Sequence, residues 1–73
     1  MELFKAKPSK DLLHQIGVVT VRINNEINMG KVYINGKEYQ ASSVNGKEYE
    51  VDTPVEILRI EGYRLYVRKA KEI

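Results

Sequence analysis

Residues 30–42 read GKVYINGKEYQAS and contain the clearest structural signal in this chain. Apolar and polar residues alternate on both sides of Asn35 and Gly36, as they do in strands that bury one face. An Asn-Gly pair favours the left-handed backbone of a type I′ turn, whose twist matches that of the two flanking strands. The stretch therefore predicts a β-hairpin, with Val32 and Ile34 on the face that points to the core.

The segment before this hairpin, residues 17–24, is rich in β-branched residues and also alternates. This pattern predicts a strand with Val19, Val21 and Ile23 on its buried face. The residues between this strand and the hairpin are rich in asparagine, which is typical of a turn or loop. The first strand should therefore lead into the hairpin through a short connection.

Two later segments complete the set of predicted strands. Within residues 55–60 the apolar residues change from odd positions (Val55, Ile57) to even positions (Leu58, Ile60). This change predicts a bulge or sharp bend that lets one strand serve both halves of a barrel. Residues 64–68 alternate regularly, with Leu65 and Val67 directed inward. Five short strands without room for a long helix predict an all-β fold, a small five-stranded barrel of the OB or SH3 kind, whose closure removes exposed strand edges.

The two ends of the chain lack this pattern. Residues 1–15 are charged, contain Pro8 and show no lasting period, so we interpret them as an N-terminal arm or linker. Ser9 is suited to cap a short helical turn that follows it. The predicted organisation is this arm, a barrel over residues 16–68, and a charged tail over residues 69–73.

Composition limits the function classes. The chain has 73 residues, of which 42% are hydrophobic and 30% charged, which is typical of one small soluble domain and excludes a two-domain enzyme. It has no cysteine, so disulfides and thiolate metal sites are excluded. A net charge of +2 is too small to predict nucleic-acid binding by itself. No apolar run approaches the length of a membrane span, and none near the N-terminus resembles a signal peptide.

Residues that would support catalysis do not form a recognisable set. His14 is the single histidine, whereas a zinc site or a catalytic triad needs several converging partners. Most carboxylates occupy strand positions opposite the apolar ones, which is typical of a solvated face. The glycines lie at strand ends and turns, and none opens a helix as phosphate-binding motifs require. The sequence therefore predicts no enzymatic activity, no metal and no cofactor.

The outward positions of the strands offer a candidate partner-binding face. Its members are exposed tyrosines and cations: Lys31, Tyr33, Arg64, Tyr66, Arg68 and Arg22. Exposed aromatic residues and arginines dominate the energies of protein interfaces. The same combination binds single-stranded nucleic acid in OB folds, because bases stack on the rings and phosphates pair with the cations. A purely structural interpretation makes Tyr33 and Tyr66 cross-strand neighbours that shield the backbone, with the arginines serving solubility.

Two segments of the sequence have a residue spacing that resembles that of a known family. Residues 30–43 fit GKVxIxGxxYxAxS, and residues 53–67 fit TxVxIxxIxGxxLxV. Both blocks resemble the C-terminal domain of the NfeD family, and the resemblance covers residues 16–68. The chain departs from the family pattern in its longer first loop, in lacking a proline before the first glycine of the hairpin block, in Asp52, where a glycine is usual, and in Tyr49, which replaces a small aliphatic residue.

The resemblance implies a non-catalytic interaction module. The NfeD C-terminal domain is a five-stranded OB-like barrel, usually tethered after transmembrane helices, that works with a stomatin-like (SPFH) membrane protein as its partner. Longer members carry a serine-protease region that nothing in this chain matches, so no catalytic residue is carried over. We expect a soluble domain tethered to a membrane in its parent protein, with the cytoplasmic side favoured. The alternative is an OB-fold domain that binds single-stranded nucleic acid.

Overall fold

The computed structural model describes residues 7–71, which form a closed five-stranded barrel. In chain order the elements are a 3-10 turn (Lys10–Leu12), β1 (Ile16–Asn24), a second 3-10 turn (Asn25–Ile27), β2 (Met29–Ile34), β3 (Lys37–Ser43), β4 (Pro54–Glu61) and β5 (Arg64–Lys69). Around the barrel the strands follow the order β1-β2-β3-β5-β4. The β3–β5 pair is parallel, and the other neighbouring pairs are antiparallel. The predicted all-β, OB-like barrel is confirmed.

The interior is filled by alternate residues of all five strands. The buried apolar residues are Leu12, Val19, Ile23, Val32, Ile34, Ala41, Tyr49, Val55, Ile57, Leu65 and Val67. Inward positions alternate with outward ones along the strands, as the pleat requires, except where the register of β4 shifts. The predicted inward residues of the hairpin and of the last strand are all buried. In β1, Val19 and Ile23 are buried as predicted, and Val21 is half-buried.

The hairpin turn has the predicted geometry. Asn35 and Gly36 have φ angles of 54° and 82°, so both central residues occupy the left-handed region that a type I′ turn requires. The residues on either side of them, Ile34 and Lys37, are paired in the β2–β3 ladder. The two-residue turn therefore fixes the register of the hairpin, which places Val32 and Ile34 in the core.

The phase slip predicted in the fourth strand is a bulge. The ladder between β4 and β5 shifts its register between Ile57 and Arg59. Ile57 is fully buried before the shift, whereas Leu58 and Ile60 are half-buried after it. On its other side, the start of β4 pairs with β1. One strand thus joins both halves of the barrel, as the slipped pattern predicted.

The segment before β1 is attached to the barrel by core packing and by backbone hydrogen bonds to β4. The Ser9 hydroxyl accepts a hydrogen bond from the backbone N–H of Asp11 at 3.1 Å, which confirms the predicted cap. Leu12 is buried in the main core, and the His14 N–H donates to the Ile57 carbonyl at 2.7 Å. The domain boundary predicted at residue 15 stays a prediction, but the core itself extends back to Leu12. The first six residues of the predicted arm and the last two of the predicted tail lie outside the described residues.

Candidate functional site

The two tyrosines of the predicted face lie on different sides of the barrel. Tyr33 of β2 pairs with Glu38 of β3, whereas Tyr66 of β5 pairs with Ser42, four residues further along β3. Strand β3 lies between β2 and β5 in the barrel. Because neighbouring strands of a five-stranded barrel are roughly 70° apart around its axis, β2 and β5 are roughly 140° apart. The interpretation of Tyr33 and Tyr66 as cross-strand neighbours is therefore wrong. The sequence pattern of a strand does not show which strands lie next to it. Because β5 pairs in parallel with β3 and not with β2, strand β3 separates the two rings.

Arg22 points to solvent from β1, where it is bound by two carboxylates. Its guanidinium donates from Nη2 to Glu48, and its Nε lies 3.3 Å from the Glu50 carboxylate. Both acids come from the segment between β3 and β4. Arg22 therefore links β1 to this segment, and its charge is balanced within the chain.

Two further cations of the predicted face also have acidic partners. Lys31 Nζ lies 3.8 Å from Glu38 Oε1, and Arg68 Nη2 lies 3.9 Å from Glu56 Oε1. These are exposed or half-exposed pairs, so each contributes little to stability. They do reduce the positive field that a nucleic-acid backbone would meet. The arrangement therefore gives no support to the nucleic-acid alternative.

The remaining predicted residues, Arg64 and Tyr66, lie on β5 and contact side chains of β3 and β4. Arg64 Nη1 donates to the Ser42 hydroxyl at 2.9 Å. The guanidinium carbon of Arg59 lies 4.3 Å from the centre of the Tyr66 ring, a cation–π contact. Arg59 is in turn held by Glu61 at 3.0 Å. One face of the Tyr66 ring is therefore covered, and the ring is half-buried.

Tyr33 belongs to an exposed apolar surface that the sequence interpretation missed. Val18 of β1 is paired with Tyr33 of β2 on one side and with Pro54 of β4 on the other. Ile16 lies two residues before Val18 and therefore on the same side of β1. The exposed fractions are 53% for Ile16, 40% for Val18 and 51% for Tyr33, and Pro54 is also exposed. We call Ile16, Val18, Tyr33 and Pro54 the wall patch.

A signal for the wall patch was present in the sequence. The buried set of β1 occupies odd-numbered positions, but the strand also has Ile16 and Val18 at even positions. A half-buried strand of a small barrel normally has polar residues at its outward positions. Apolar residues in both phases of β1 therefore indicated that its outer face is also apolar.

Acidic and basic groups at the edge of the wall patch are paired. His14 Nδ1 lies 3.3 Å from Glu56 Oε2, and Glu56 is the β4 residue paired with Ile16. Within residues 7–71, no three His, Cys, Asp or Glu side chains come together as a metal site would require. The same residues include no helix that is both long and apolar enough to cross a membrane.

Comparisons with known proteins agree with this architecture. The family model described as NfeD-like C-terminal, partner-binding domain matches residues 9–69. Among solved structures, the barrel is similar to the C-terminal domain of stomatin operon partner protein 1510-C from Pyrococcus horikoshii, with a TM-score of 0.76 and 22% identity. The match covers 92% of this chain and 100% of that one. No curated protein matches the sequence significantly. The structural similarity shows the fold, and the family match, which spans most of the chain, shows that this protein belongs to the NfeD-like C-terminal, partner-binding domains.

Proposed function

We propose that this chain is a non-catalytic docking module whose barrel binds a stomatin-like (SPFH) protein. The observation that carries the proposal is the family match over residues 9–69, because the family is described as partner-binding. The similar structure from Pyrococcus horikoshii is named a stomatin operon partner protein, which supports this class of partner. In the parent protein, the barrel would be a soluble domain tethered to the membrane, on the cytoplasmic side.

A role without catalysis is supported by the surroundings of the one histidine. The His14 side chain is largely exposed and contacts a single carboxylate, that of Glu56. A general base needs a partner that orients it and an enclosed site that excludes water. Glu56 supplies an orienting contact, but the His14 side chain is 72% exposed, so no enclosed site excludes water around it in the part of the chain that the structure describes.

The six predicted residues are the candidate contacts, but they do not lie on one side of the barrel, so their surroundings are used to rank them. Tyr33 exposes half of its surface, so a partner can bury it without breaking an existing contact. Tyr66 already contacts Arg59, and Arg64 already donates to Ser42, so a partner would have to bind beside these contacts. The other three, Arg22, Lys31 and Arg68, would have to exchange their present carboxylates for those of the partner. Tyr33 is therefore the strongest of the six.

Isothermal titration of the 73-residue chain with a purified stomatin-like protein of the same organism tests the proposal. We expect saturable binding, and an unrelated OB-fold barrel of similar size serves as the control that should not bind. Absence of binding to the stomatin-like protein would contradict the proposal. A fluorescent single-stranded oligonucleotide at low salt tests the alternative. Salt-sensitive binding that is lost in Tyr33→Ala would favour nucleic acid instead.

A further inference from the structure

We propose that the wall patch is the surface that docks on the partner, and that it inserts into an apolar, concave surface of the stomatin-like protein. This inference rests on the proposed function, which names the partner but leaves the contact surface open. It adds Ile16, Val18 and Pro54 to Tyr33 as contact residues. The observations that carry it are the composition of the patch, its area and shape, and the charges at its edge.

The composition of the patch indicates a contact surface. Tyr33, Val18 and Pro54 form one continuous row across three neighbouring strands, β2, β1 and β4, and Ile16 extends it along β1. Core packing does not need these side chains, because the inward positions of the same strands already fill the barrel. Contiguous apolar groups on a soluble protein mark interaction sites more often than scattered ones do. Tyr33, at one end of this row, adds rigid contact area, since it has few rotatable bonds.

Area and shape argue against a second copy of this chain as the occupant. From the exposed fractions, the patch presents an apolar area on the order of 300 Å², whereas a stable interface needs roughly 800 Å² on each partner. The outer wall of a narrow barrel is convex, and two convex walls touch over less than their full area. A concave apolar surface, by contrast, surrounds such a patch and adds contacts at its edges. The geometry therefore fits a larger partner with a cleft.

The charged groups at the edge of the patch indicate how much charge the partner surface needs to carry. Glu38, paired with Tyr33, accepts a hydrogen bond from the Thr20 hydroxyl at 2.7 Å and lies 3.8 Å from Lys31 Nζ. On the opposite edge, Glu56 lies between His14 at 3.3 Å and Arg68 at 3.9 Å. Each carboxylate is thus balanced by a group of this chain. The partner surface should be uncharged at its centre, and binding should depend only weakly on salt.

A pair of matched variants tests the inference. Val18→Glu places a charge in the middle of the patch, and Val44→Glu makes the same change at a loop residue with the same exposed fraction, 40%. In titrations with the purified stomatin-like protein, we expect Val18→Glu to weaken binding about tenfold or more and Val44→Glu to leave it within about twofold. Tyr33→Ser provides a second test of the same surface if Val18→Glu does not fold, as judged by circular dichroism.

The outcomes separate the two proposals. If the unmodified chain does not bind, the proposed function fails. If it binds and neither Val18→Glu nor Tyr33→Ser weakens the affinity beyond that of Val44→Glu, the proposed function stands and the wall patch is overturned. An affinity that changes by less than about threefold between low and high salt supports the uncharged contact, and a steep loss contradicts it. Sedimentation that shows a dimer abolished by Val18→Glu would assign the patch to a second copy and also overturn the inference.

Discussion

Val18 and Val19 are neighbours in β1, yet Val19 is inaccessible to solvent whereas Val18 points outward and is paired with Tyr33 in the β1–β2 ladder. The difference follows from the pleat, which directs successive side chains to opposite faces. The same strand therefore contributes to the core and to an exposed apolar surface. Mutations on its two faces should have separable effects, so inward changes should reduce stability and outward changes should reduce partner binding.

Replacing Ile34 should be costly because its side chain is buried in the core. We expect Ile34→Ala to lower the free energy of unfolding by about 2–5 kcal/mol, since it removes apolar contacts and leaves a cavity. Ile27→Ala is the matched control, because Ile27 is exposed and should change stability by less than about 0.5 kcal/mol. Urea denaturation followed by circular dichroism measures both. Equal losses in the two variants would contradict the assignment of Ile34 to the core.

Gly36 should tolerate asparagine better than valine. Its φ of 82° belongs to the left-handed region, which asparagine adopts readily and a β-branched residue resists. Space is not the limitation, because a Cβ at this position would meet nothing within 4 Å. We expect Gly36→Val to lower the melting temperature clearly below that of Gly36→Asn. If the two melting temperatures coincide, the turn does not impose the constraint described above.

Gly30 is limited by space as well as by backbone conformation. A Cβ built there would lie 2.6 Å from the Ala41 carbonyl oxygen and 2.9 Å from Ile23 Cγ1, both too close for real atoms. We expect Gly30→Ala to lower the free energy of unfolding by about 3 kcal/mol, since strands must move apart. Gly62→Ala is the control: its φ of 60° is also positive but the site is open, so the loss should be about 1 kcal/mol. Similar losses from denaturation curves would argue against a close approach at Gly30.

Asn25 clamps the end of β3. Its side-chain amide donates to the Ser43 carbonyl at 2.9 Å and accepts from the Ser43 N–H at 2.9 Å. Because Ser43 is buried, Asn25→Ala should leave two backbone groups unpaired and cost about 2 kcal/mol. Hydrogen exchange should show reduced protection of the Ser43 amide. The neighbouring change Glu26→Ala should leave that protection unaltered, and a loss of protection in both variants would point to general unfolding of the turn instead.

The sequence predicted what depends on local patterns. The type I′ turn at Asn35 and Gly36 follows from one residue pair, and the buried faces follow from alternation. Adjacency around the barrel could not be predicted in this way. Tyr33 and Tyr66 have the same outward phase, yet their separation depends on which strands are paired. The two acids that bind Arg22 lie more than twenty residues away along the chain, so their contact follows from the closed fold and not from spacing.

The most direct test of partner docking is an amide NMR spectrum of the isotope-labelled chain, recorded during titration with the stomatin-like protein. We expect the amides of Val18 and Tyr33 to shift or broaden first, while those of Arg64 and Tyr66 on the other side of the barrel stay unchanged. A spectrum without any perturbation would contradict partner binding, and perturbations confined to Arg64 and Tyr66 would contradict the wall patch.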